Sequence, residues 1–246
     1  MTSVLSAYQD HIQTITLCRP DKKNALTISM YQQLAQHLND AASDPGVRVV
    51  MLCGAGGNFT AGNDLQEFLT TELSEGSILD FLSVLSQFPK PIVTIAEGVA
   101  IGIGTTILLH SDLIFCAENT RLQLPFARLG LVPEAGSSLL LPQQVGYAKA
   151  AEWLLLGEPF TAQQALDAGL INTIAPPSNI HKLALTAAKH LAQVPPEAVQ
   201  ASKELLKEPM KKQVSTTIQQ EASVFAQRLK SQECKQAITA FFERAR

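Results

Sequence analysis

Glu134 lies in the segment LVPEAG, and elsewhere in the chain two glycine-rich stretches, NFTAGNDL at 58–65 and GVAIGIGTT at 98–106, bring in residues small enough for a ligand to reach the main chain. A carboxyl that carries a proton and peptide N–H groups that hold negative charge are the two parts of a proton-transfer site. Each glycine stretch follows an apolar run, 47–53 (VRVVMLC) and 91–97 (PIVTIAE), and precedes a segment of helical character. Both read as strand-to-helix junctions, where backbone amides freed at a helix start can hold an anion. Pro133 before Glu134 and Ala135-Gly136 after it turn the backbone tightly at the end of the apolar approach 129–132. A plain surface turn is the competing reading.

The other chemistry-bearing residues read differently. In GVAIGIGTT the third position of a dinucleotide fingerprint is Ile107 and no acidic residue follows at the usual strand end, which excludes a Rossmann site. From that loop alone close helix packing and anion binding are equal readings, and the second loop tips the balance to the anion. Asp64 reads as the cap of the helix after it. No GxSxG elbow occurs, and Ser137 and Ser138 have no identifiable His and Asp partners, which leaves a serine hydrolase without support. His11, His37, His110, His181 and His190 lack ligand spacing, so structural histidines and no metal site are expected. Glu97 ends a strand and Asp112 begins one; both read as turn or cap groups.

The chain has 246 residues, 46% of them hydrophobic, enough for one large α/β domain or a domain with an appendage. A net charge of -3 without clusters of Lys and Arg excludes a nucleic-acid surface. Cys18, Cys53, Cys116 and Cys234 are far apart, show no CxxC spacing and lie, three of four, in apolar strand-like runs, so buried free thiols are expected. Residues 1–10 lack the pattern of a signal peptide, no apolar stretch approaches bilayer length, and 245–246 is Ala-Arg rather than the end of a peroxisomal tripeptide. A cytoplasmic protein without membrane insertion is the expectation.

The elements that must position these residues follow from periodicity. Strands are expected at 12–17, 47–53, 91–96, 112–117 and 170–174. Helices are expected at 29–42, with Tyr31, Leu34, Ala35, Leu38 and Ala42 on one face, at 77–87, from 102 to 110, and at 162–168 between the N-cap Thr161 and the C-terminal Gly169. A turn and short helix span 121–131. Pro176 and Pro177 mark a boundary, and 180–193, 196–207, 213–230 and 232–244 read as amphipathic helices.

CRPDKKNALT, GAGGNFTAGNDL, FPKPIVTIAEGVAIGIGTTILLHSDLIFCAENTRLQLPFARLGLVPEAGSSLLLP and LLGEPFTAQQALDAGLINTIAP occur in this order across almost the whole chain. Together they resemble the crotonase superfamily, the enoyl-CoA hydratase and isomerase group. The resemblance implies an α/β fold made as a ββα spiral over 1–190, with a helical region over 191–246 that builds trimers, often stacked as hexamers. It implies acyl-CoA thioesters as substrates, with coenzyme A part of the substrate and no further cofactor. The family's oxyanion hole uses two main-chain N–H groups, which map onto Asn63, after Ala61-Gly62, and Ile103, after Gly102. Lys23, Ala25 and the run Ala61, Gly62, Asn63, Asp64 and Leu65 would line the channel for coenzyme A, with Lys23 meeting a phosphate; Lys22 and Lys23 as solvated loop charges are the alternative.

The two glutamates of the hydratase pattern are Thr106 and Phe126 here, and neither side chain can orient and deprotonate a water as a carboxylate does. The chain instead resembles the Δ3,Δ2-enoyl-CoA isomerase branch, whose single acid/base glutamate matches Glu134, and whose activity belongs to fatty acid β-oxidation. On this reading Glu134 moves a proton from C2 to C4 of a 3-enoyl-CoA while the Asn63 and Ile103 amides hold the charged thioester oxygen. Losing one such donor costs about 3 to 4 kcal/mol in barrier. Phe126, Leu129 and Leu131 would surround the acyl chain, exclude water and raise the carboxyl's pKa. The alternatives are a hydratase, another crotonase reaction such as thioester hydrolysis, and a non-catalytic CoA-thioester binder.

Overall fold

The computed structural model describes residues 3–70 and 75–244, with the side chains of 68–70, 75 and 244 left out, so the chain end at 245–246 lies outside the described residues. The chain opens on a hairpin, β1 (Val4–Gln9) and β2 (Ile12–Leu17), whose two-residue turn holds Asp10 and His11 both at positive φ. Such turns match the right-handed twist of the strands they join. Periodicity did not reveal β1, because only Val4 of its six residues is buried.

Next come α1 (Ile28–Ser43), β3 (Val49–Gly54), α2 (Leu65–Thr70), α3 (Glu75–Ser86), β4 (Ile92–Ala96), β5 (Val99–Ile101), α4 (Ile103–Thr106), β6 (Leu113–Ala117) and β7 (Arg121–Gln123). They are followed by α5 (Ser137–Val145), α6 (Tyr147–Ala151), β8 (Pro159–Thr161), α7 (Ala162–Asp167), β9 (Thr173–Ala175), α8 (Pro177–Gln193), α9 (Pro196–Leu229) and α10 (Gln232–Arg244). Thr27 caps α1 by accepting from the Met30 N–H, and Thr161 forms a full capping box with Gln164, as its place in the sequence predicts.

The strands make a six-stranded sheet in the order β1-β2-β3-β4-β6-β9, parallel apart from β1, and a three-stranded sheet β5-β7-β8. Consecutive turns of the chain give one strand to each sheet: β4 then β5, β6 then β7, β8 then β9. This is the strand-strand-helix spiral. The small sheet escaped the sequence reading because each of its strands is only three residues long.

The period of two divides the strands between two cores. Val50 and Leu52 of β3 face α1, α3 and the interior of the spiral, while Val49, Met51 and Cys53 face Ile180, Ala184, Ala188 and Ala192 of α8. α8 runs across position 190, where the expected division between spiral and tail falls. Beyond it, two helices expected at 196–207 and 213–230 are one helix, α9, with Pro209 inside it. Val214 and Ile218 of α9 and Cys234 and Ile238 of α10 are buried in the main core, so the tail packs on its own chain. Cys53, Cys116 and Cys234 are buried free thiols; Cys18 is only half-buried. Burial pushes the Cys116 thiol up to about 12. Among the described residues no helix is long and apolar enough to cross a membrane.

Candidate active site

Three segments meet around Glu134. The first is 23–26, which runs alongside 61–64: Ala61 N–H donates to Lys23 O at 2.9 Å, Leu26 N–H to Gly62 O at 2.8 Å and Asp64 N–H to Leu26 O at 2.9 Å. Asn24 anchors the pair. Its buried amide donates to Ala55 O at 2.9 Å and Asn58 O at 2.7 Å and accepts from Arg19 N–H at 2.8 Å, while Thr60 Oγ1 donates to Asn24 O at 2.7 Å.

The second segment, 98–106, lies against 60–62. Thr60 N–H donates to Val99 O and Ile101 N–H to Thr60 O. A Cβ on Gly62 would stand 2.8 Å from Ile101 O, so only glycine allows this approach. Gly102, at φ 56 and ψ -118, turns the chain from β5 into α4 in a conformation open to glycine alone. The result brings Asn63 and Ile103 to the junction of the two loops. Among the described residues neither the Asn63 nor the Ile103 N–H has a hydrogen-bond partner. Orphan donors of this kind are rare inside a protein unless a ligand takes them.

The third segment carries Glu134. Ala135 has φ 60 and Gly136 φ 74, two successive left-handed residues, and the first costs an L-residue on the order of 1–2 kcal/mol. Neighbours hold the strained turn. The buried His110 Nε2–H donates to Ala135 O at 2.7 Å, and Glu221 of α9 accepts from Gly136 N–H at 2.6 Å and Ser138 N–H at 2.8 Å. Burial, reinforced by Lys207, pushes the His110 imidazole down to about 4, so it stays neutral with the proton on Nε2.

Glu134 itself is 7% exposed, which discards the surface-turn reading, and among the described residues its Oε1 has no hydrogen-bond partner. Burial first, then the charge of Glu221, pushes the carboxyl from 4.5 up to about 8; hydrogen bonding from the Asn63 side chain opposes the rise. Tyr31 of α1 donates its hydroxyl to Asn63 Oδ1. Burial and then Glu134 push the Tyr31 phenol well above its ordinary range, keeping it a donor.

Of the remaining predicted residues, Ala25, Ala61 and Leu65 are half-buried along the first segment, and Lys23 is exposed at its entrance. Asp64 is engaged structurally: Oδ2 pairs with Arg19 Nη1 at 2.7 Å, and Oδ1 accepts from Gln66 and Glu67 N–H at the start of α2. Burial raises its carboxyl, but the Arg19 hydrogen bond and the helix amides outweigh this and leave it below its usual value. Thr106 is buried with its hydroxyl on Ile103 O at 3.3 Å, and the Phe126 ring lies 3.9 Å from where a Cβ on Gly102 would sit. Neither offers a second carboxylate. Phe126 and Leu131 are buried and Leu129 half-buried.

Glu97 lies in the turn between β4 and β5, and its carboxylate also pairs with His181 Nε2 of α8 at 2.6 Å. Asp112 does cap, accepting from Ile92 N–H, and also pairs with Lys203 of α9 at 2.6 Å. Tyr31, His110 and Glu221 were not singled out for the site by sequence reasoning. They lie far along the chain from the residues they contact, and no local pattern links them.

The profile of the enoyl-CoA hydratase/isomerase family matches residues 7–246. Enoyl-CoA delta isomerase 2 of Rattus norvegicus is 34% identical over 98% of this chain, which spans only 63% of the rat protein. The 2,3-dehydroadipyl-CoA hydratase of Escherichia coli K12 is 31% identical over 99% of this chain and 97% of its own length. The crystal structure of an enoyl-CoA hydratase/isomerase from Pseudoalteromonas atlantica T6c superposes with a TM-score of 0.95 at 37% identity, covering 99% of this chain and 98% of that one. With its spiral of paired sheets and its two loops joined beside a buried glutamate, this chain belongs to the enoyl-CoA hydratase/isomerase family of the crotonase superfamily.

Proposed function

We propose that the chain is a Δ3,Δ2-enoyl-CoA isomerase. Glu134 takes a proton from C2 of a 3-enoyl-CoA, the C2 electron pair delocalises onto the thioester oxygen, and the same carboxyl returns the proton at C4. The double bond moves from C3–C4 to C2–C3 and no water is consumed, so one acid/base group suffices. The developing oxyanion is held by the Asn63 and Ile103 N–H groups, in the environment where such donors lower barriers most.

The observation that carries this reading is the buried Glu134 carboxyl, with one oxygen free of hydrogen bonds among the described residues and a pKa raised to about 8, in a chain that has Thr106 and Phe126 where the hydratase pattern has its two glutamates. A base of this strength matches the task far better than a solvated glutamate. The likeness to the rat isomerase supports the same direction. Lys23, Ala25 and 61–65 take the coenzyme A moiety, and Phe126, Leu129 and Leu131 the acyl chain. Leu205 and Leu206, strongly exposed on α9, suit a homotrimeric or hexameric assembly of a cytoplasmic enzyme.

The likeness to an Escherichia coli hydratase favours water addition as the second reading. Incubation with 3-enoyl-CoA and 2-enoyl-CoA separately tests both. Isomerisation gives rising conjugated-thioester absorbance from the 3-enoyl substrate at constant mass. A product heavier by one water from the 2-enoyl substrate overturns the isomerase reading in favour of the hydratase. Binding without turnover of either leaves a CoA-thioester binder.

A further inference from the structure

Glu221 is eighty-five residues from Gly136 in sequence and contacts it directly. Its side chain, itself 7% exposed, reaches from α9 to the start of α5. Oε2 accepts from Gly136 N–H and Oε1 from Ser138 N–H, so both oxygens act as acceptors, the arrangement of an ionised carboxylate. α5 begins at a glycine, which offers no capping side chain of its own. Glu221 supplies that cap from another helix, on the turn whose previous residue but one is Glu134.

We infer that Glu221 is a positioning residue for Glu134: its two oxygens fix the Glu134–Gly136 turn through two backbone amides and bring a second buried carboxylate into the same region. This rests on the proton-shuttle reading above. The turn contains a strained Ala135, and the peptide group that follows it is held at both its polar atoms, the carbonyl by His110 and the N–H by Glu221. The charge argument is separate from the geometric one. Two carboxylates in one low-dielectric region resist ionising together, so each raises the other's proton affinity.

The titratable and charged groups around this pair are few. Tyr31 faces Glu134 from α1 and stays protonated; His110 stands behind the turn and stays neutral. Lys203 and Lys207 of α9 are turned to Asp112 and to the His110 carbonyl, not to Glu221. Burial raises the Glu221 carboxyl, and hydrogen bonds from Ser138 and Gly136 oppose that rise.

The test titrates the Glu134 carboxyl of the full-length protein by carbon-detected NMR with labelled glutamate, in wild type, Glu221→Gln and Glu134→Gln, the last to assign the signal. Glu221→Gln keeps the side-chain shape and one acceptor while removing the charge. The Glu134 midpoint is expected to fall by about one pH unit. The acid limb of the pH profile of kcat/KM should move down with it, and kcat at its plateau should drop. An unchanged midpoint overturns the inference, since a merely structural cap would lower activity without moving it. If Glu221→Gln does not fold, the reciprocal measurement decides: in Glu134→Gln the Glu221 midpoint must move down, because coupling between two sites is mutual, and a fixed value sinks the idea. These titrations need no turnover. A wild-type protein that fails to isomerise 3-enoyl-CoA would remove the functional reading while leaving the coupling measurable.

Discussion

The Tyr31 hydroxyl donates to Asn63 Oδ1, and this bond decides which end of the Asn63 amide is which. With the oxygen taken, the Nδ2 end is left as the donor toward Glu134. On the proposed mechanism Asn63 serves twice, its backbone N–H as an oxyanion donor and its side chain as a hydrogen-bond partner of Glu134.

Asn63→Ala keeps the backbone donor and removes the side chain. Because hydrogen bonding from Asn63 lowers the Glu134 pKa, its loss should raise that value further above about 8 and shift the acid limb of kcat/KM to higher pH. Tyr31→Phe should act in the same direction but more weakly, with a loss of about 1 kcal/mol in stability from the missing buried hydrogen bond. Stopped-flow rates across pH and chemical denaturation measure the two effects.

Glu134→Gln should reduce kcat for isomerisation by about 10²- to 10⁴-fold, the usual contribution of a positioned acid/base group. Acyl-CoA affinity by calorimetry should stay nearly constant, because the amide occupies the same volume. Turnover at the wild-type rate would remove the proton-shuttle role.

The same variant should be more stable than wild type at neutral and alkaline pH. Between the unfolded value of 4.5 and the folded value of about 8 the unfolded chain has released a proton that the folded one still holds. The contribution of Glu134 is therefore fully present below pH 4.5 and is lost as pH rises through 8. The melting-temperature difference between variant and wild type should be small near pH 4.5 and grow to its plateau above 8, worth on the order of a few kcal/mol. A constant difference across that range would contradict a raised Glu134.

Gly102→Ala places a Cβ in ordinary van der Waals contact with Phe126, at 3.9 Å, so any damage comes from the backbone. Alanine does not hold φ 56 and ψ -118, and relaxation rotates the peptide that aims the Ile103 N–H. A fall in kcat of about 10²-fold or more is expected, comparable to the loss of one oxyanion donor. Circular dichroism and a thermal melt would separate this from unfolding.

His110→Ala frees Ala135 O and leaves the other polar atom of that peptide, the Gly136 N–H, on Glu221. Stability should drop by about 1–3 kcal/mol, the cost of a buried polar group without its partner. In wild type, the neutral imidazole contributes stability that is present above the unfolded value near 6.5 and lost as pH falls toward 4. That acid sensitivity should disappear in the variant, as followed by melts from pH 4 to 7.

What could be read in the sequence was what is local. The two glycine loops, the PEAG turn and the Thr161 cap each announce themselves within a few residues, because φ constraints and capping act at that range. The long parallel strands were legible from their apolar runs, whereas β1 hides its single buried residue and the small sheet is too short to show a period. Separate helices were expected at 196–207 and 213–230, yet one helix runs through Pro209, with Val214 and Ile218 packed against the turn at Gly136. The supports of Glu134 were illegible for another reason. Tyr31, His110 and Glu221 reach it by tertiary contact alone, and a glutamate on a helix rich in Lys and Gln looks like any solvated charge.

α9 runs unbroken from Pro196 to Leu229, with Leu205 and Leu206 facing outward near one end and Glu221 inward near the other. A helix of that length spans about 50 Å. The exposed leucines and the carboxylate that caps the Gly136 turn therefore share one continuous backbone, so the outer face of the protein and the support of its buried turn belong to a single element.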